Sequence, residues 1–267
     1  MWVLAGPSAN DDPCQDAPTG AWQFSGPVHG MPPNQWAIDG TTFALDNAMY
    51  FCYSGWPFNN KGESDKYQHL FIMKMQSPTE AASQPVEISR PDHSWEKCHD
   101  GGGEHGINEG PQFLASPDGS WRGIIYSCSG SWTNEYKLAI LEYTGGDPLN
   151  PSSWKKHGRP LIENGGRGHP PYGPGHGSFI NMGGETMCVY HATDSPTDGW
   201  ENRKARCQRV TWTAEGPHMG GCCGPLTDNM DMFVAGNVPQ GGHGGHGGSS
   251  HGLKGFLHNA QAKLRDL

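Results

Sequence analysis

Hydrophobic runs bounded by Gly, Asp or Asn recur along the first 220 residues of the chain. Three segments share one layout: a polar residue, a Gly, an aromatic residue three or four positions on, a tight turn, and a run rich in β-forming residues. This pattern predicts β-hairpins that carry a polar residue at the start of the first strand. The hairpins cover residues 39–54, 109–128 and 176–191, and their head residues are Asp39, Glu109 and His176.

Further strand patterns follow each hairpin, so the repeat comprises about four strands and returns about every 70 residues. A four-stranded sheet repeated at that spacing predicts an all-β fold built from the blades of a β-propeller. Residues 2–28 resemble the outer half of the blade at 138–161, which predicts that the chain starts in the outer half of a blade. The sequence then holds about three and a half blades, whereas a closed propeller needs at least about four.

Composition narrows the class of protein. The 267 residues include 40 Gly and 22 Pro, which excludes a helical bundle and fits short strands joined by turns. The net charge of −9 argues against a nucleic-acid partner, which needs a basic surface. No window approaches the ~20 apolar residues of a membrane helix, and the first residues do not form a signal peptide, so no membrane partner is expected. The eight Cys residues are too sparse for a disulfide scaffold, which favours buried or free thiols.

The C-terminal part departs from the repeat. We expect an incomplete propeller domain over residues 1–235, a Gly/His-rich linker over 236–252, and a short amphipathic helix over 253–267.

The inner strands of a propeller line one central channel, so Asp39, Glu109 and His176 should converge there although they are far apart in sequence. Two carboxylates with aromatic neighbours suit the cleavage of glycosidic bonds, because one acid protonates the leaving oxygen while the other activates water or attacks carbon. From the residues alone, Asp39 is the candidate base, because it is the only head carboxylate besides Glu109. Trp36 and Trp56 are candidates for stacking on sugar rings, whereas Phe43 and Phe113 are more typical of packing between blades.

Five ordered segments resemble glycoside hydrolase family 43, and its fungal arabinofuranosidases and xylosidases in particular. They are Trp36–Phe43, Ile107–Pro111, Gly173–Phe179, Tyr190–Ala192 and Gly199–Gln208 with the later Trp212. The resemblance implies a five-bladed β-propeller and inverting hydrolysis by three carboxylates: a general base, an Asp that orients the acid and tunes its pKa, and a general acid. It makes Glu109 the general acid and Asp39 the orienting, tuning residue.

The same resemblance implies roles for two further residues. His176 is expected to bind substrate and to be the channel histidine that often sits beside a bound calcium or other ion. Arg203 is expected to contact the sugar of the first subsite. Arg206 lies on the opposite face of the strand by the alternation of side chains, which makes it the weaker candidate.

The family's general base has no match in this chain, so the resemblance implies that the first blade and part of the second are missing. The expected function is an inverting glycosidase for arabinose- or xylose-containing polysaccharides, of the α-L-arabinofuranosidase or β-xylosidase type, impaired by the missing base. Two alternatives are a catalytically inactive carbohydrate-binding propeller and a non-functional truncated product. The family is mostly secreted, so the resemblance implies an extracellular protein.

Overall fold

The strands follow the hydrophobic runs of the sequence. A computed structural model describes residues 1–5, 23–58, 66–164, 170–182 and 184–222. The described residues contain two 3-10 helices, Ser94–Glu96 and Pro151–Ser153. Their strands are β1 (Trp2–Ala5), β2 (Gln23–Pro27), β3 (Ala37–Leu45), β4 (Ala48–Gly55), β5 (Tyr67–Ser77), β6 (Glu80–Ala81), β7 (Val86–Ser89), β8 (Lys97–Asp100), β9 (Gly103–Ala115), β10 (Arg122–Cys128), β11 (Lys137–Tyr143), β12 (Trp154–Ile162), β13 (Tyr172–Met182), β14 (Glu185–Thr193), β15 (Lys204–Thr213) and β16 (Gly216–His218).

The sheet topology consists mainly of three antiparallel units of four strands. Unit 1 is β3–β4–β5–β7, unit 2 is β9–β10–β11–β12, and unit 3 is β13–β14–β15–β16. Strands β6 and β8 add to the edges of β5 and β9, and a short parallel pairing of β5 with β9 joins units 1 and 2. The three predicted hairpins and the repeat of about four strands are therefore confirmed.

Turn chemistry fixes the first hairpin. Asp46 and Asn47 connect β3 to β4 with φ values of 47° and 61°. A two-residue hairpin loop whose backbone twist matches that of the flanking strands requires positive φ at both positions. Apart from Gly, Asn and Asp are the residues that tolerate positive φ best. At the N-terminus, β1 pairs antiparallel with β2, as the likeness to the outer strands at 138–161 predicts.

Hydrophobic clusters between the units hold them face to face. Phe43 of unit 1 stacks on Phe113 of unit 2 with ring centroids 4.5 Å apart and planes 1° from parallel, so both have the predicted packing role. A second cluster joins Leu138 of unit 2 to Tyr190 of unit 3. This packing places the inner strands side by side, with β3 and β13 both against β9. The polar heads of the three hairpins are thereby brought to one place.

Cys52, Cys98 and Cys128 are buried thiols, in line with the expectation for the cysteines. No helix in the described part of the chain is both long and apolar enough to cross a bilayer. The predicted Gly/His-rich linker (236–252) and terminal helix (253–267) lie outside the described residues.

Candidate active site

A one-residue β-bulge interrupts each inner hairpin at the same place. Before the bulge, the aligned pairs are Ile38 with Ser54, Glu109 with Ser127, and Gly175 with His191; after it, they are Thr41 with Cys52, Gln112 with Ile125, and Ser178 with Val189. The extra residue in each strand has positive φ: 57° at Asp39, 57° at Gly110 and 54° at His176. Bulges that hold non-glycine residues in this conformation occur often beside active sites, where they redirect a side chain.

The bulges correct one detail of the sequence analysis. Asp39 and His176 are structurally equivalent, but their counterpart in unit 2 is Gly110 and not Glu109. Glu109 lies one position earlier, where unit 1 has Ile38 and unit 3 has Gly175. The side chain of Glu109 therefore leaves the backbone one position earlier than those of Asp39 and His176, and it still reaches the same part of the site.

Asp39, Glu109 and His176 are brought together as predicted. The backbone N–H of Gly110 donates to Asp39 Oδ2 at 3.0 Å, which ties Asp39 to the residue that follows Glu109. His176 Nε2 lies 3.9 Å from Asp39 Oδ1, and the N–H of His176 donates to Ser127 Oγ at 2.8 Å. A Cβ at position 110 would lie 3.2 Å from His176 Nδ1, so glycine serves both the positive φ and the close approach.

Glu109 is a buried carboxyl group in a partly apolar environment. It is 7% exposed, and its Oε1 accepts a 2.6 Å hydrogen bond from the hydroxyl of Tyr136. Burial is the main cause that raises the pKa of Glu109 above its ordinary value, and the charge of Asp39 adds to the rise; Tyr136 opposes it. A raised pKa favours the protonated form of the carboxyl group, which is the form that a general acid needs.

Tyr136 is a site residue that the sequence analysis missed. Burial and the neighbouring Glu109 hold its pKa well above the ordinary value, so its hydroxyl remains a donor. The ring occupies the space left by Gly175, where a Cβ would lie 2.1 Å from Tyr136 Cε1. The Gly at the position equivalent to Glu109 was the available signal, since glycine within a strand often marks a close approach.

His191 supports the other side of Tyr136. Its ring stacks on the Tyr136 ring, with centroids 5.8 Å apart and planes 14° from parallel. Burial lowers the pKa of His191 to about 4, helped by the charges of Arg203 and His176, so its imidazole is neutral at pH 7. His191 therefore contributes a flat, uncharged wall to the site.

Beneath the acid, a buried hydrogen-bond network fixes its chain neighbour Asn108. Ser54 donates to the carbonyl of Asn108 at 2.8 Å, and Ser89 donates to the Asn108 side chain at 2.7 Å. Asn108 donates to Glu96, a fully buried carboxylate that also pairs with Lys156 at 2.8 Å. These bonds hold β9 at the residue that precedes Glu109.

Arg203 and Arg206 have different environments. Arg203 is exposed just before β15 and donates to the carbonyl of Ser131 at 2.8 Å. Its charge lowers the pKa of both Glu109 and His191, which places it beside the site. Arg206 is fully buried and pairs with Asp194 at 2.8 Å, consistent with its being the weaker candidate for sugar contact.

Trp36 and Trp56 flank the open end of the β3–β4 hairpin, the end that carries Asp39. They stack on each other with centroids 5.1 Å apart, and the N–H of Trp56 donates to the carbonyl of Trp36 at 3.1 Å. Trp56 also lines an open groove of about 450 Å³ together with Gln35 and Phe58. Their predicted contact with sugar stays a prediction.

The predicted calcium site is poorly matched by the residues around His176. Calcium prefers six to eight oxygen ligands, and imidazole is not among its usual partners. No group of three or more His, Cys, Asp or Glu side chains among the described residues is arranged to hold a metal ion. His176 and Asp39 alone do not form such a site, and a calcium ion in the channel stays a prediction.

Residues 14–217 match the sequence model of glycosyl hydrolases family 43. The chain belongs to this family. Two relatives by sequence are an "Extracellular exo-alpha-(1->5)-L-arabinofuranosidase" of Streptomyces avermitilis, 31% identical over 229 residues, and "Alpha-L-arabinofuranosidase 43" of Humicola insolens, 27% identical over 188 residues. These alignments cover 82% and 67% of this chain but 44% and 37% of the relatives. The chain thus spans less than half the length of these curated relatives.

Solved structures share the fold. An α-L-arabinofuranosidase from Lactobacillus brevis aligns with a TM-score of 0.68 at 24% identity, covering 85% of this chain and 67% of that one. An α-L-arabinanase of Cellvibrio cellulosa, complexed with arabinohexaose, aligns with a TM-score of 0.52 at 18% identity, covering 82% and 67%. The family 43 structures are β-propellers, so the three four-stranded units correspond to blades. A total of five blades, and the absence of one and a half, stay predictions.

Proposed function

We propose that this family 43 chain is a glycosidase that hydrolyses arabinofuranosyl linkages of arabinose-containing polysaccharides, with Glu109 as the general acid. The observation that carries the proposal is the buried carboxyl of Glu109, which accepts a hydrogen bond from Tyr136 beside Asp39 and has a raised pKa. The names of both sequence relatives support arabinose as the sugar, and the first supports an extracellular location. Xylose-containing chains are the second substrate class.

The proposed chemistry starts with proton transfer. Tyr136 donates to Oε1 of Glu109, so the acidic proton resides on Oε2 and passes from there to the leaving glycosidic oxygen as the bond to carbon breaks. Asp39 keeps the pKa of Glu109 raised before the transfer, and the positive charge of Arg203 helps to stabilise the carboxylate that results. Donation by Tyr136 to the same carboxylate strengthens as charge develops there.

Inversion also requires a carboxylate about 6.5–9.5 Å from the acid that activates water on the opposite face of the sugar. We assign Asp39 the tuning role, because it contacts the Gly110 N–H and acts on the pKa of Glu109. In this assignment no described carboxylate serves as the base, and the family resemblance finds none in this chain, so the proposed hydrolysis is expected to be impaired.

The test is hydrolysis of an aryl α-L-arabinofuranoside, and then of arabino-oligosaccharides, by the chain and by Glu109→Gln. Glu215→Gln, at an exposed turn, is the matched control. We expect Glu109→Gln to lose at least ~10²-fold in kcat/KM on oligosaccharides, since general acid catalysis contributes about 10²–10⁴-fold. Unchanged turnover of oligosaccharides by Glu109→Gln would refute the assignment of the acid.

A chain that binds arabino-oligosaccharides in calorimetry and releases no product is a carbohydrate-binding propeller instead. A chain that neither binds nor cleaves them contradicts the proposed function altogether.

A further inference from the structure

Trp200 is an exposed aromatic side chain that takes no part in the chemistry proposed for Glu109 and Asp39. It is 63% exposed and lies in the loop between β14 and β15, three residues before Arg203. Gly199, with φ of 58°, turns the chain immediately before it. Asp198 accepts two hydrogen bonds within this loop: its carbonyl oxygen accepts from the N–H of Glu201, and its carboxylate accepts from the side chain of Asn202.

The indole of Trp200 is held in place although it is exposed. Its Nε1–H donates to Ser131 Oγ at 3.0 Å. The ring also meets Trp132 edge to face, with centroids 6.2 Å apart and planes 75° from parallel. One hydrogen bond and one ring contact thus hold the indole in place, while a flat apolar face stays open to solvent. Because the ring is already ordered in the free chain, a ligand that stacks on it does not lose affinity by ordering it.

The same loop connects Trp200 to the catalytic centre. Ser131, which accepts from Trp200, also accepts from Arg203 through its carbonyl oxygen at 2.8 Å. Arg203 and Gly199, the neighbour of Trp200, line a narrow crevice together with Ser131, Thr133, Asn134 and His191. The His191 ring stacks on Tyr136, which donates to Glu109, so the crevice links the loop to the acid.

We propose that Trp200 is the stacking platform for a second sugar unit of the substrate chain, next to the unit whose bond is cleaved. The inference rests on the proposed function and extends it to the length of the substrate. The apolar C–H face of a pentose ring matches the open indole face, and its hydroxyl groups match the hydroxyl and amide groups of Ser131, Thr133 and Asn134 nearby. A single exposed indole face, backed by Trp132 and bordered by polar side chains, fits a sugar better than a protein partner, which buries a wider apolar patch.

The test compares arabinohexaose with methyl α-L-arabinofuranoside. Trp200→Ala is expected to raise the Kd for arabinohexaose about tenfold in calorimetry, the effect typical of losing one well-placed aromatic contact. The affinity for the methyl glycoside, whose methyl group is too small to occupy the second subsite, is expected to stay unchanged. Trp200→Phe should recover most of the hexaose affinity, because the ring face is retained.

Phe24→Ala is the matched control, since Phe24 is 64% exposed and lies on β2, which belongs to the separate two-stranded sheet of β1 and β2. It should bind arabinohexaose like the unaltered chain, and both variants should unfold at about the same temperature. Equal hexaose affinity for Trp200→Ala and the unaltered chain would overturn the platform and leave the proposed function intact. Absence of hexaose binding by the unaltered chain would overturn both.

Discussion

Replacing Tyr136 with Phe removes one hydroxyl group and leaves the ring that fills the space beside Gly175. The hydroxyl donates to Glu109 Oε1 at 2.6 Å, and this hydrogen bond lowers the pKa of Glu109 against the rise caused by burial. Its loss should therefore raise the pKa of Glu109 further. The variant thus tests whether Tyr136 controls the ionised form of the acid or merely packs against it.

The expected magnitude depends on the charge of the acceptor. A hydrogen bond to an ionised group contributes about 1.5–3 kcal/mol to stability, and one between neutral groups about 0.5–1.5 kcal/mol. Tyr136→Phe should cost the larger amount at a pH where Glu109 is ionised in the folded chain and the smaller amount where it is protonated. Because the folded pKa of Glu109 lies above the unfolded one, its proton is retained on folding, and stability falls as pH rises from about 4.5 through the folded pKa. The variant enlarges this fall and extends it to higher pH, because it raises the folded pKa of Glu109 further.

Urea unfolding across a series of pH values measures both quantities. Tyr50→Phe, which removes a phenolic hydroxyl from unit 1, is the control, and its cost should not follow the titration of Glu109. The reasoning is refuted if the cost of Tyr136→Phe is the same at acidic and neutral pH, because that result describes a packing residue with no preference for the ionised acid.

Three further predictions concern neighbouring charges. Glu109→Gln should be more stable than the unaltered chain at neutral pH, since it removes the unfavourable ionisation of a buried carboxyl, and thermal unfolding should show this advantage disappearing below about pH 4.5; a constant difference would argue against a raised pKa. Asp39→Asn should lower the pKa of Glu109, as followed by carboxyl carbon NMR, because it removes the charge that opposes ionisation; no change would separate the two groups. Lys156→Met should cost about 3–5 kcal/mol in urea unfolding, since it leaves the fully buried Glu96 without its cation, and a loss below ~1 kcal/mol would mean that the remaining hydrogen bonds suffice.

The hairpins were predictable because local physics determines them. The polar heads, the Asp46–Asn47 turn and the runs of β-forming residues mark strands by periodicity and turn preference, which act over a few residues. The family resemblance added the roles of Asp39 and Glu109, and the structure places the two together.

The register of the site was not predictable in full. Asp39, Glu109 and His176 each stand before a Gly, which makes them look equivalent, but a bulge is defined by pairing with another strand and shifts Glu109 by one position. Tyr136 was missed for a related reason: its hydroxyl reaches Glu109 within its own unit, while its ring fills space that Gly175 leaves in the next. Contacts of this kind depend on how sheets pack, which short-range patterns do not encode.

The most direct measurement of the central claim is the titration of the Glu109 carboxyl carbon by NMR in the intact chain, with the signal assigned by its disappearance in Glu109→Gln. Because the carboxyl is buried beside Asp39, its midpoint should lie above the ordinary value of 4.5. A midpoint at or below 4.5 would show a solvated or cation-paired carboxylate at neutral pH, and Glu109 would then hold no proton to give to a leaving sugar.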